Sequence, residues 1–468
     1  MKSNIGLIGL AVMGRNLALN IADKGFKISV YNRTTSVTEE MKVKEFHSNI
    51  NYCLNISDFV NSLEKPAKII IMVKAGNAVD MVIDELLNYI DKDDIIIDAG
   101  NSYFKDTKRR YEYLKTKNIN YVGLGVSGGE EGARKGPAMM AGCEKDVYDK
   151  VKYILESAAA KYDGETCCRY TSLDGAGHYV KMIHNGIEYG DMELISESYF
   201  IMKNILGMEN SEISNIFSKW NNHRLQSYLI EITSKILKTK DDLTDNDLVD
   251  MIKDISFQKG TGKWTNLEAI ELGVDISVIS AGLNARYMSM LKNERVLASK
   301  ILDKKALNSI KILKNDILVD LEKALYLSKI ISYAQGFKLL SEAQKVYNWN
   351  FDFSDISKIF RAGCIIRARF LSDIQNAYSK DNELSNLMLD EKFSNELNSN
   401  IDSLRKIVML CVDNAMPASA FSYALSYYDT YRSEYLSANM IQAQRDYFGA
   451  HTYKRVDREG DFHYNWEF

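Results

Sequence analysis

Proline is scarce: Pro66, Pro137 and Pro417 are the only three in 468 residues, so long helices meet few breakers. The six cysteines are Cys53, Cys143, Cys167, Cys168, Cys364 and Cys411. No two of them are separated by the two-residue gap of a metal knuckle or a dithiol redox motif, and reduced, mostly buried thiols in a reducing compartment are expected. No apolar run reaches the roughly 20 residues of a membrane span. The opening MKSNIGLIGL enters a strand-like run without the charged and apolar regions of a secretory leader. The closing NWEF carries no retention or peroxisomal signal. The cytoplasm is therefore the expected compartment. A dominant charge is missing as well. With 59 Lys+Arg against 63 Asp+Glu, the net charge is −4, which draws neither nucleic acid nor a membrane surface. An anionic substrate has to be met by cations gathered locally.

What is present is a 46% apolar chain, rich enough for a packed core and long enough for two or more domains. IGLIG (5–9), KISVYN (27–32), KIIIMV (68–73), DIIIDA (94–99) and INYVGLGV (119–126) read as strands separated by helical patterns. Continuous apolar strands alternating with helices predict a parallel sheet covered on both faces. Beyond about residue 174 the strong signals are helical, as in SEISNIFSKW and NARYMSMLKNERVLASKIL. The expected architecture is an α/β Rossmann-like amino-terminal domain over 1–174, a large all-α domain over 175–434 and an extended C-terminal tail over 435–468. The tail is aromatic and charged with little helical periodicity. Disordered segments are usually poor in aromatics, so this one is expected to pack on another surface.

GLIGLAVMGRNLALN places a turn between a strand and a helix. Gly9, Ala11 and Gly14 match G-x-G-x-x-G with alanine at the second glycine. Such a turn brings backbone close to a pyrophosphate at a positive helix end, and the strand–helix context supports the motif. About 20 residues on, NAD enzymes usually carry an acidic side chain for the ribose hydroxyls. YNRT instead supplies Asn32, Arg33 and Thr34. A carboxylate would repel a 2′-phosphate, whereas Arg33 binds one and Thr34 donates to it. NADP is the expected cofactor.

The stretch YVKMIHNGIEYGDMEL (179–194) reads as one helix. At about 100° per residue, Lys181, His184, Asn185 and Glu188 fall within an arc of about 100°, beside an apolar stripe of Val180, Ile183, Ile187 and Leu194. A lysine serves as a base when burial or neighbouring cations disfavour its charged form. Glu188, two turns on, is placed to return a proton. Taken alone, such a stripe better suits a solvated face with an i to i+7 charge pair.

Eight motifs in order, GLAVMG, NRT, MVKAG, DAGNS, GVSGGEEGARKGPAMM, VKMIHNGIEYGDM, QKGTGKWT and IQAQRDYFGAHTY, resemble those of the decarboxylating 6-phosphogluconate dehydrogenases over essentially the whole chain. The resemblance implies NADP-dependent oxidation and decarboxylation of 6-phosphogluconate to ribulose 5-phosphate, in the pentose phosphate pathway. It implies that Lys181 is the general base and Glu188 the acid that protonates carbon 1 of the enediol. No metal is implied, because a 3-keto acid loses carbon dioxide with its carbonyl accepting the electrons. Asn101, Ser127, Gly128, Gly129, His184, Asn185, Tyr189, Lys259 and Arg286 match substrate-binding positions. Gly9, Leu10, Ala11, Val12, Met13, Gly14, Asn32, Arg33, Thr34, Val73, Lys74, Ala75 and Asn101 match cofactor contacts. Arg445 and His451 match phosphate ligands that the family's tail carries into a neighbouring subunit, which implies a homodimer with shared sites.

QKGTGKW is not a phosphate loop, because Phe257 and Trp264 stand where that motif needs glycine and serine or threonine. The chain departs from the family pattern around Arg286 (ISAGLNARYMS), at Ser437 where proline is common, and in its ending DREGDFHYNWEF. None of these replaces a matched catalytic residue. Two alternatives stand beside this reading: another 3-hydroxy acid dehydrogenase of the same superfamily, and a catalytically silent NADP-binding regulator.

Overall fold

The computed structural model describes residues 2–258, 260–307 and 313–466. Five strands fall on the runs read from the sequence: β1 (Ile5–Ile8), β2 (Ile28–Tyr31), β4 (Lys68–Ile71), β5 (Ile95–Asp98) and β6 (Asn120–Ser127). Others were not foreseen. β3 (Ile50–Cys53), β7 (Ala138–Gly142) and β10 (Cys168–Ser172) join them in one sheet, and β8 (Lys161–Tyr162) pairs with β9 (Glu165–Thr166) in a small hairpin. β7 reads as small residues and methionines, and β3 is only four residues long with an exposed centre, so neither carries a continuous apolar signal.

The sheet is eight-stranded, in the order β10-β7-β6-β5-β4-β1-β2-β3. It is parallel from β3 through to β6, but β7 runs antiparallel to β6. The five strands read from the sequence pair in parallel as expected, and the antiparallel strand is β7, which was not foreseen. The chain winds outward from β1 to β3, then returns to β4 and winds the other way. The break between β1 and β4 is the topological switch point where such sheets bind ligands.

Alternation along the strands feeds two cores. Ile70, Ile95 and Ile97 pack with the first helix, Val12–Asp23, on one face. Ile69, Ile71 and Ile96 pack with helices Asn77–Leu86 and Phe104–Lys115 on the other. Successive strand side chains point to opposite faces, so one apolar run covers both.

The last strand ends at Ser172, and a 29-residue helix, Ala176–Asn204, follows. It is about 44 Å long and lies first on β6 and β7, then at the centre of the helical core. There it packs against helices Thr261–Leu272, Ser277–Met290 and the 34-residue Lys314–Tyr347. Two glycines allow the first contact. A Cβ on Gly177 would sit 2.2 Å from the Gly123 carbonyl oxygen, and one on Gly125 would sit 2.6 Å from the Lys181 Cβ. The helix therefore rides directly on β6, which sets Lys181 near the carboxyl end of that strand.

The tail is not structureless. Ala438–Gly449 is a helix, and Tyr453 and Phe462 exchange backbone hydrogen bonds beyond it. The buried Asp446 gathers this turn: it accepts from Thr452 N, His463 Nδ1, Tyr464 N and Trp466 Nε1 at 2.8–3.1 Å. The helix has few apolar residues facing its own chain, which explains its weak periodicity. Asp446 is its only buried residue.

Candidate active site

The nucleotide motif forms the turn expected of it. Gly9 has φ +101°, and a Cβ there would lie 2.4 Å from the Met72 carbonyl oxygen. At Gly14 a Cβ would lie 1.9 Å from the Gly9 carbonyl oxygen. Only glycine lets the strand end, the turn and the first helix close on one another, as a pyrophosphate cradle requires. The Asn32 side chain props the turn by accepting from Leu10 N at 3.1 Å and donating to the Thr34 carbonyl at 3.1 Å. A cleft of about 310 Å³ opens beside it, with Gly9, Asn32, Arg33, Thr34, Val73 and Lys74 in its wall. Arg33 is exposed at its rim. Thr34 precedes helix Thr35–Lys44 without spending its hydroxyl on a cap. Leu10, Ala11, Val12 and Met13 lead into the first helix, whose first-turn N–H groups have no intrahelical acceptor. Ala75 adjoins the cleft through Lys74. Tyr31, Met81 and Glu85 also line it; they sit on a strand and a helix whose sequence marks them as core or surface, and no motif distinguishes them. Burial and the Glu85 carboxylate raise the Tyr31 phenol's pKa, so it stays a neutral wall. These features fit an NADP molecule.

The second cluster lies on the long helix. Lys181 is 7% exposed and His184 fully buried. Lys181 Nζ donates to Asn185 Oδ1 at 2.7 Å and lies 3.4 Å from His184 Nδ1. His184 Nδ1 is 3.1 Å from Asn185 Oδ1, and its Nε2 is 3.2 Å from Ser127 Oγ. Asn185 Nδ2 donates to Thr261 Oγ1 at 3.1 Å. One tautomer satisfies the whole set: Nδ1–H donating to Asn185, and Nε2 accepting the Ser127 hydroxyl. Burial and the neighbouring lysine hold the His184 pKa well below the usual imidazole value, which keeps the ring neutral. Glu188 Oε2 comes within 3.8 Å of His184 Nδ1.

Burial lowers the Lys181 pKa, partly opposed by Glu188. Burial raises the Glu188 pKa, opposed by Lys181 and Arg286. Lys181 and His184 are thus buried and Asn185 and Glu188 half-buried, and the two titrating groups are displaced toward each other. The stripe of Val180, Ile183, Ile187 and Leu194 is buried completely. Groups whose environments push their pKa values together or apart at one site mark acid–base chemistry.

Around this cluster, Ser127 ends β6 and Gly128 turns with φ +126° against the Gly363 carbonyl. Gly129 starts a short helix with open space at its Cα. Asn101 is exposed in the loop after β5. Arg286 is not a surface arginine: it is 7% exposed, donates to the Gly282 carbonyl at 3.0 Å and lies 3.6 Å over the Tyr189 ring. Lys259 lies outside the described residues. Arg445 and His451 are exposed in the tail. There Arg445 donates to Gln442 at 3.2 Å and His451 meets the Phe448 ring, so within one chain they do not join the cluster. Thr261, two residues past Lys259 in QKGTGKWT, was not foreseen as a partner of Asn185. Its hydroxyl has no signal beyond a glycine-rich neighbourhood at a helix start.

A cleft at the sheet's switch point with a dinucleotide turn in its wall, and a buried lysine and half-buried glutamate on the helix that enters a second, all-helical domain, fit a two-domain dehydrogenase. Comparison with known proteins gives the family. Residues 4–171 match the NAD binding domain of 6-phosphogluconate dehydrogenase, and residues 177–466 match the C-terminal domain of the same enzyme. The chain belongs to the 6-phosphogluconate dehydrogenase family. It is 52% identical over 465 residues, 99% of both chains, to the NADP(+)-dependent, decarboxylating 6-phosphogluconate dehydrogenase of Bacillus subtilis. It is 50% identical over 467 residues, again 99% of each, to a decarboxylating 6-phosphogluconate dehydrogenase of Lactococcus lactis. The 6-phosphogluconate dehydrogenase of Plasmodium falciparum, solved apo, with its cofactor NADP+ and with its substrate 6-phosphogluconate, superposes with a TM-score of 0.96. It is 48% identical, with 99% of this chain and 100% of that chain covered. Among the described residues no helix is long and apolar enough to cross a membrane.

Proposed function

We propose that this chain catalyses the NADP-dependent oxidative decarboxylation of 6-phosphogluconate to ribulose 5-phosphate and carbon dioxide, with Lys181 and Glu188 as its proton carriers. The observation that carries the residue roles is the Lys181–His184–Asn185–Glu188 cluster, with Lys181 and His184 buried and Asn185 and Glu188 half-buried. Its lysine pKa is lowered and its glutamate pKa raised by the same burial.

When bound, NADP supplies the hydride acceptor. Arg33 and Thr34 hold its 2′-phosphate at the cleft rim, and the turn from Gly9 to Gly14 holds the pyrophosphate. Neutral Lys181 takes the proton from the hydroxyl on carbon 3 while that carbon loses hydride. Asn185 and the neutral His184 hold the amine in place. The 3-keto acid then releases carbon dioxide; the electrons of the broken bond pass to the carbonyl oxygen, where the Lys181 ammonium donates its proton. Glu188, its pKa raised by burial, protonates carbon 1 of the enediol while neutral Lys181 takes back the proton from the hydroxyl that becomes the product's carbonyl. Ser127 and the backbone of Gly128 and Gly129 receive the substrate carboxylate. Tyr189, Lys259 and Arg286 receive its phosphate, and Asn101 reaches substrate and cofactor from the end of β5.

The tail completes this site in a second copy, as a homodimer with exchanged tails. Two features support that reading. Tyr435, Met440, Ile441 and Phe448 are largely exposed in the single chain. Helix Lys292–Ile301 buries none of its residues although it carries Val296, Leu297 and Ile301. Apolar surface of this extent marks an interface, and Arg445 and His451 travel with it. The deciding assay follows NADPH formation and carbon dioxide release. Turnover of 6-phosphogluconate far above that of gluconate supports the assignment; equal turnover of the two would exclude a phosphate-reading site.

A further inference from the structure

Arg110 belongs to no motif singled out in the sequence, yet it is among the largest fully buried side chains of the molecule. It projects from helix Phe104–Lys115, behind the loops that follow β4 and β5. Its guanidinium has five N–H donors, and each finds an acceptor. Nε donates to Asp80 Oδ1 at 2.8 Å, and Nη2 to Asp80 Oδ2 at 3.0 Å. Nη2 also donates to the Gly76 carbonyl at 3.0 Å. Nη1 reaches Ser102 Oγ at 3.4 Å and Asp98 Oδ2 at 3.5 Å. These acceptors belong to two different loops. Gly76 ends the segment that holds Val73, Lys74 and Ala75, and Asp80 lies in the first turn of the helix it opens. Asp98 and Ser102 bracket the loop that holds Asn101, where Asp98 also accepts from Ser102 Oγ at 2.6 Å and Tyr121 OH at 2.9 Å. The loops touch directly as well, since a Cβ on Gly100 would lie 3.2 Å from the Val73 carbonyl oxygen.

We infer that Arg110 is a positioning residue which clamps the β4 and β5 loops at a fixed separation and so sets where the nicotinamide half of NADP meets the substrate. The inference rests on the reading above that Val73, Lys74 and Ala75 face the cofactor and that Asn101 faces both ligands. Arg110 touches neither ligand and acts only through the loops. The planar fork is essential to the argument: a bidentate pair with Asp80 fixes orientation as well as distance. A lysine ammonium has three donors in no fixed plane and cannot hold both loops. Neither Arg110 nor Asp80 lines the cleft beside Arg33, so the adenosine half of the cofactor should not feel the clamp.

The test uses the full-length chain with Arg110→Lys and, because a buried arginine can be needed for folding, the milder Asp80→Asn at a partly exposed position. Each is compared with the parent for thermal unfolding, binding of adenosine 2′-monophosphate, kcat, the KM of both substrates and the deuterium isotope effect with 6-phosphogluconate labelled at carbon 3. The expected result is folded protein with unchanged adenosine 2′-monophosphate binding, kcat lowered roughly 10- to 100-fold, as for a displacement of about 1 Å, and a larger isotope effect because hydride transfer becomes limiting. A folded Asp80→Asn or Arg110→Lys protein with parental kcat and isotope effect overturns the clamp. So does parallel loss of adenosine 2′-monophosphate binding, which indicates general disruption. Asn101→Ala separates this from the underlying reading. If Asn101→Ala impairs turnover while the clamp variants do not, only the clamp fails. If Asn101→Ala leaves both KM values and kcat unchanged, the loop assignment fails first.

Discussion

Replacing Lys181 by methionine separates the lysine's chemistry from its packing. The side chains are of similar length, and the site is 7% exposed, so the thioether fills the space over Gly125. The lost interaction is the 2.7 Å hydrogen bond to Asn185 Oδ1. That oxygen is not orphaned, because His184 Nδ1 remains 3.1 Å away and the ring still accepts from Ser127 through Nε2. The expected cost is therefore one net hydrogen bond, about 1 kcal/mol, offset by no longer burying an amine with a lowered pKa. The unfolding midpoint should move by less than about 4 °C. Activity should behave differently. Removing a general base lowers kcat by roughly 10²–10⁴-fold, equivalent to about 3–5 kcal/mol of barrier. Substrate affinity, measured by titration calorimetry with 6-phosphogluconate, should stay within a few-fold of the parent. A kcat within tenfold of the parent would refute the base assignment. A folded variant that lost affinity in proportion to rate would recast Lys181 as a binding residue only.

Glu188→Gln should slow overall turnover while the NADP and substrate KM values change little; normal turnover contradicts its role. For the parent, kcat should rise with pH as Lys181, its pKa lowered by burial, gives up its proton. It should fall as the raised Glu188 loses the proton it must deliver. The two limbs belong to the coupled pair rather than to either residue, and Glu188→Gln should remove the alkaline limb from a stopped-time pH series. Arg33→Glu should raise the KM for NADP roughly 10- to 150-fold, the value of one or more charge-assisted hydrogen bonds, and spare weak turnover with NAD; an unmoved NADP KM excludes Arg33 from the 2′-phosphate site. Truncation from residue 440 should abolish activity. Mixing Lys181→Met with Arg445→Ala, each inactive alone, should restore activity, because one site of each mixed dimer has an intact lysine and an intact tail. No recovery in exchanged dimers refutes the tail exchange.

Much of this was legible in the chain because it is written locally. The turn at Gly9 follows from backbone sterics within six residues, and β1, β2, β4, β5 and β6 from unbroken apolar runs. The stripe on helix Ala176–Asn204 follows from helical geometry. β3, β7 and β10 were not legible, because short strands of mixed or small residues have no period of their own and are held by sheet neighbours. The tail helix escaped for a related reason: with Asp446 as its only buried residue it shows no apolar face. Nothing in the spacing around Arg286 shows that Gly282 and the Tyr189 ring enclose it.

By itself, then, the sequence determined the doubly wound nucleotide domain, the preference for a 2′-phosphate implied by Asn32 and Arg33, and the register of Lys181, His184, Asn185 and Glu188 on one helix. It could not decide whether that register lay on a solvated face or was enclosed by the rest of the chain. Only the packing decided that. Gly125 and Gly177 let the helix settle onto β6 and bury the stripe, and Ser127 and Thr261 arrive from segments distant in the chain to satisfy its imidazole and amide. Desolvation then lowers the lysine pKa and raises the glutamate pKa. It is a property of everything surrounding a charge, and no spacing along the chain contains it.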